Sequence, residues 1–140
     1  MDVEAHRDGR RFEALARRYF SVPEQEALSS AGPEDMAGHF YDTWTLKEAW
    51  LKARGSGIRV PLADFGFHRD GARLSFSATP TLDPRPSDWR FWCWRLGRQA
   101  SLSLAIRDPA RVSGAPLIRR GLPLGNWDPF APEARAGSDW

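Results

Sequence analysis

Near Gly55 the apolar residues of this chain change their period. Ahead of it Phe12, Leu15, Ala16, Tyr19 and Phe20 recur at helical spacing, and behind it Phe65, Phe67, Leu74 and Phe76 alternate about an Asp70-Gly71 turn signal. A chain patterned this way cannot be all helix or all strand. The spacing predicts a helix within 10–20, and a second through Pro23 to Leu28 with Ser21 as its N-cap. A third helix of about 20 residues, roughly 30 Å long, runs from Gly32-Pro33-Glu34-Asp35 to a stop at Gly55. "DWRFWCWRL" and "ASLSLAI", joined near Gly97, read as a second strand pair. Helices followed by antiparallel strands predict an α+β domain with the helices on one face of a small sheet. From Arg107 onward Pro and Gly are frequent and no period persists, so a loosely structured tail is expected, with a short apolar docking segment near Leu117 or Trp127.

A length of 140 residues fits one domain with a modest core. Acids and bases are interspersed and the net charge is only +2, which gives little support to nucleic-acid binding. No apolar run is long enough to span a bilayer and no signal-peptide pattern opens the chain, so a cytoplasmic protein without a membrane partner is expected. Cys93 is the single cysteine, which excludes an intrachain disulfide and a thiolate-rich zinc site.

The third helix carries an imbalance. Of 20 basic residues only two are lysine, and Lys47 and Lys52 both lie in "WTLKEAWLKARGSG". At about 100° per residue Met36, Phe40, Trp44 and Leu51 make a core stripe, and Lys47 projects within about 20° of Phe40. Glu48 and Lys52 follow the border of that stripe. Spacing alone favours a solvated Glu48–Lys52 pair with Lys47 snorkelling to water. Lysine's rarity favours a compact point charge placed against a phosphate oxygen. In "MDVEAH", Asp2 and Glu4 point to one side if the segment is extended, and with Glu48 they would offer oxygen ligands to a hard cation such as Mg²⁺. The bland alternative is a solvated acidic pair. His6, His39 and His68 lack ligand spacing, and the aromatic "WRFWCW" is better explained as a core strand than as a stacking platform.

Four segments in order, "DVE", "ARRYFSVPEQEAL", "FYDTWTLKEAWLKARGSGI" and "PLADFGF", make residues 2–106 resemble the C-terminal half of the surfactin-type 4′-phosphopantetheinyl transferases. The resemblance implies a half-domain over 1–106 followed by a Pro/Gly-rich tail over 107–140. It implies transfer of the phosphopantetheine arm of coenzyme A to a serine of an acyl or peptidyl carrier protein, in fatty acid, polyketide or nonribosomal peptide synthesis, as a holo-carrier-protein synthase does. By position Asp2, Glu4 and Glu48 match the family's Mg²⁺ ligands, Glu48 also matches the group that helps deprotonate the serine, and Lys52 matches the lysine on the phosphate. Lys47 belongs to the motif without an assigned step.

Surfactin-type enzymes are pseudo-dimers with the coenzyme A site between their halves, and no counterpart of the first half stands ahead of Asp2 in this sequence. An enzyme completed by a missing N-terminal half or by a second copy is therefore one expectation. The alternative is a non-catalytic truncated remnant that binds a carrier protein.

Overall fold

A computed structural model describes residues 1–107 and 116, and the backbone of three short strands at 119–121, 127–129 and 133–137. Strand β1 (Asp2–Ala5) is followed by helices α1 (Phe12–Tyr19), α2 (Val22–Ser30) and α3 (Met36–Arg54). Strands β2 (Phe65–Asp70), β3 (Arg73–Ala78), β4 (Trp89–Leu96) and β5 (Ala100–Arg107) come next, then β6 (Arg119–Gly121), β7 (Trp127–Pro129) and β8 (Glu133–Gly137). The fold is α+β, as the change of period predicts.

Local chemistry sets most of the boundaries. α2 starts at a capping box in which Glu24 accepts hydrogen bonds from the Ser21 N–H and hydroxyl, at 2.8 and 2.9 Å. α3 ends at Gly55, whose φ of 72° lets its N–H reach the carbonyls of Leu51 and Lys52. Its start differs from expectation: the helix begins at Met36, because the Asp35 N–H closes a turn onto the Gly32 carbonyl at 2.9 Å. Gly71 and Gly97, with φ of 57° and 61°, turn the β2–β3 and β4–β5 hairpins.

The six strands of the main sheet lie in the order β1-β5-β4-β8-β3-β2. β1 pairs antiparallel with β5, Asp2 opposite Ser103 and Glu4 opposite Ser101. The tail corrects the sequence reading here. In place of a loose segment it supplies a β6–β7 pair and the strand β8, which pairs antiparallel with β4 and parallel with β3. Trp127 opens β7, while Leu117 lies outside the described residues.

Alternation sorts the aromatic strand β4. Trp89, Phe91 and Cys93 face the helices, where Trp50 of α3 meets Phe65, Phe76 and Trp89 at ring separations of 4.4, 5.2 and 6.1 Å. Trp92 and Trp94 cluster with Leu102 on the opposite face. A second cluster of Phe12, Phe20, Leu28, Phe40 and Tyr41 seals α1 and α2 onto α3. α3 is therefore buried around most of its circumference rather than along one stripe, because the sheet lies on one side and two helices on the other.

Candidate active site

β1 brings the N-terminal acids to α3. Asp2 is buried and Glu4 half-buried on one side of the strand while Val3 between them is 54% exposed, the alternation that an extended segment imposes. α3 lies across β5 through a polar seam: Ser103 and Thr45 share a hydroxyl hydrogen bond of 2.8 Å, and the Ser101 hydroxyl donates to Asp42 at 2.6 Å. Because Ser103 is opposite Asp2 and Ser101 opposite Glu4, this seam also fixes how α3 sits against β1.

The Lys52 ammonium donates to Asp2 Oδ1 at 2.6 Å. Asp2 Oδ2 is buried and has no hydrogen-bond partner among the described residues. Burial pushes the Glu48 carboxyl above its ordinary value, Asp2 pushes it further, Lys52 opposes the rise, and Glu4 adds to it. The Asp2 hydrogen bond in turn raises Lys52, with the charges of Asp2, Glu48 and Glu4 adding to the rise. Asp2, Glu4, Glu48 and Lys52 thus form one electrostatically coupled cluster, drawn from the first strand and the last turns of α3.

Among the described residues no three Asp, Glu, His or Cys side chains make a ready cage for a metal ion. The donor set nonetheless suits a hard cation. An unpartnered, buried carboxylate oxygen and a carboxyl raised by burial and by neighbouring acids are both relieved by a divalent ion bound among oxygens.

Lys47 departs from the snorkelling expectation. It is 0% exposed, and its three ammonium protons go to the Leu62 carbonyl at 2.7 Å, the Phe65 carbonyl at 2.6 Å and Glu24 Oε2 at 2.8 Å. Glu24 was missed as a partner by sequence reasoning, since nothing local to "FSVPE" shows that its carboxylate also accepts the Phe67 N–H at 2.9 Å. Asp42 was missed for the same reason. It is fully buried and bonded by Arg95 Nε and Nη2 at 3.1 and 2.9 Å and by Arg69 at 3.3 Å, and Arg95 also reaches Asp35. Gly38 permits this, since a Cβ there would lie 2.5 Å from Arg95 Cζ.

His6 contacts the Arg98 carbonyl at 3.1 Å and the Ser101 hydroxyl at 2.8 Å, and stacks on Tyr41. His39 pairs with Asp35 at 3.2 Å, and His68 is exposed. A cavity of about 670 Å³ lies between His6, Gly38, Arg95 and Arg98, at the far end of β1 from Asp2 and Lys52. The acidic cluster itself lies outside it. No described helix is long and apolar enough to cross a membrane.

An α+β half with acids from its first strand set beside a lysine-bearing helix agrees with what the wider comparisons return. The family model of the 4′-phosphopantetheinyl transferase superfamily matches residues 1–107, and the chain belongs to that superfamily. Over 59 residues, 41% of this chain, it is 34% identical to 4′-phosphopantetheinyl transferase Sfp of Bacillus subtilis, covering 26% of that protein. It is 43% identical to HetI of Nostoc sp. over 58 residues, 41% of this chain and 24% of the relative. A putative 4′-phosphopantetheinyl transferase of Synechocystis sp. is 48% identical over 90 residues, 56% of this chain and 37% of the relative. The matched stretches span 24% to 37% of these relatives' lengths.

Proposed function

We propose that this chain carries the metal-binding half of an enzyme that moves the 4′-phosphopantetheine arm of coenzyme A onto a serine of an acyl or peptidyl carrier protein. The observation that carries the reading is the coupled cluster of Asp2, Glu4, Glu48 and Lys52, with Lys52 bonded to Asp2 at 2.6 Å. In this reading Asp2, Glu4 and Glu48 hold Mg²⁺. When bound, that ion neutralises charge on the diphosphate oxygens.

The other roles belong to the chain itself. Glu48, raised by burial and by its acidic neighbours, is brought closer to working pH than an ordinary carboxylate, which suits acceptance of the serine hydroxyl proton. As the serine oxygen bonds to the phosphorus of the pantetheine arm, the bond to the other phosphate breaks and adenosine 3′,5′-bisphosphate leaves. Lys52 is 56% exposed beside Asp2, so its ammonium can meet the charge that grows on the leaving phosphate. The relatives' greater length supports a second half, or a second copy of this chain, as the source of the remaining coenzyme A contacts.

The test is to incubate the chain with Mg²⁺, coenzyme A and a serine-bearing carrier, alone and with a separately expressed first half, and to weigh the carrier by mass spectrometry. Gain of the phosphopantetheine mass supports the reading. Carrier binding without that gain under both conditions supports the remnant instead. A Glu48→Ala variant that transfers at the parent rate removes Glu48 from the chemistry.

A further inference from the structure

Three of the four segments that carry the family resemblance meet at one buried point, and that point is not the acidic cluster. Glu24 comes from the second segment, Lys47 from the third, and the carbonyls of Leu62 and Phe65 with the Phe67 N–H from the fourth. Every proton of the ammonium is used, and Glu24 accepts four hydrogen bonds, from the Ser21 N–H and hydroxyl, Lys47 and the Phe67 N–H. The Phe65 ring lies 4.4 Å from the ammonium and excludes water on that side. Gly66 lets the start of α2 close onto β2, because a Cβ there would stand 2.6 Å from the Ser21 hydroxyl. So complete an enclosure leaves Lys47 no hydrogen-bonding capacity for a phosphate.

Lys47 immediately precedes Glu48, and successive helical residues are set about 100° apart. Thr45 pins α3 to β5, and about 200° further round Lys47 pins it to α2 and the 62–67 segment. A helix held on two sides cannot roll. We infer that Lys47, locked by Glu24 and the Leu62 and Phe65 carbonyls, is a positioning residue that sets the roll of α3 and thereby holds Glu48 and Lys52 against Asp2. This rests on the reading of Asp2, Glu4 and Glu48 as the metal-binding acids, and deepens it.

The experiment compares the parent chain with the double variant Glu24→Gln/Lys47→Met, which removes both charges and keeps the side-chain volumes. Mn²⁺ affinity is measured by calorimetry, and the Lys52 ammonium is followed by nitrogen NMR, where its bond to Asp2 slows proton exchange. The expected result is a double variant that melts within a few degrees of the parent, binds Mn²⁺ at least about tenfold more weakly and exchanges its Lys52 protons faster. A double variant that melts like the parent and keeps both its Mn²⁺ affinity and its slow Lys52 exchange overturns the inference and leaves the pair a purely structural one. If the parent itself does not bind Mn²⁺, the metal reading fails, and Lys52 exchange alone decides the positioning role. Should the double variant not fold, Lys47→Arg replaces it under the same measurements. Its planar fork cannot match three acceptors set around a point charge, so the same losses are expected, and parental values would overturn the inference.

Discussion

The two lysines of α3 stand five positions apart and live in opposite surroundings. Lys47 is sealed among a carboxylate, two carbonyls and two rings, and burial drags it below the ordinary lysine value although Glu24 pulls it back up. Lys52 is more than half exposed, bonds one carboxylate, and is raised by it. The contrast separates holding a helix from serving a ligand. A buried ammonium must be fully satisfied and then has nothing left to give, whereas a rim ammonium keeps donors free for whatever arrives.

Removing the interior charge should therefore have the largest effect. Lys47→Ala leaves Glu24 buried without its counter-ion, and a loss of about 3–5 kcal/mol is expected in urea unfolding at neutral pH. A loss under about 1 kcal/mol would mean that water reaches Glu24, and the contrast would collapse. Next comes Gly66→Ala. Its new methyl group must displace the Ser21 hydroxyl from Glu24, at a cost of about 1–3 kcal/mol, checked by thermal melting. At the rim the sign of the lesson reverses. Lys52→Met takes the ammonium from buried Asp2, so a loss of about 1–3 kcal/mol, smaller than at Lys47, is expected, while phosphopantetheine transfer slows about 10²-fold or more in an assay of the completed enzyme. Unchanged transfer would move Lys52 out of the chemistry.

The smallest effect concerns Glu48. Its raised carboxyl means that, between the ordinary value and the raised one, the folded chain binds more protons than the unfolded chain, so stability falls as pH rises through that window. Above the window the ionised group costs stability. Glu48→Gln should accordingly raise the melting temperature of the metal-free chain by about 1–2 °C at pH 7 and lose that advantage below pH 4. Parallel melting curves across the whole range would show that neither burial nor the neighbouring acids raise Glu48.

Much of the fold was legible because its causes are local. The Ser21 N-cap, the left-handed Gly55 that stops α3, and the glycines of the two hairpins act within a few residues, so the sequence displays them directly. The period-two placement of Asp2 and Glu4 was equally visible. What stayed hidden depends on partners distant along the chain. Lys47 looks like a snorkelling residue until Glu24 and the Leu62 carbonyl are brought to it from 23 and 15 positions away. Asp42 looks like an ordinary helical acid until Arg95 closes on it across 53 positions. The apolar stripe of Met36, Phe40, Trp44 and Leu51 does face the core, but it is only part of the buried surface of α3, because a helix enclosed on both sides buries polar residues as well wherever a complement is supplied.

The place of β8 has a consequence for the order of assembly. Strand ladders β1-β5-β4 and β3-β2 are complete within the first 107 positions, yet β8, near position 135, is the strand that lies between them. A ribosome makes both ladders before β8, so until then the helices and the packing of Phe67 and Phe76 on Phe91 hold them together. Before β8 is made, the two ladders present open backbone edges to a common gap, the arrangement in which a chaperone, or a neighbouring nascent chain, competes with β8 itself.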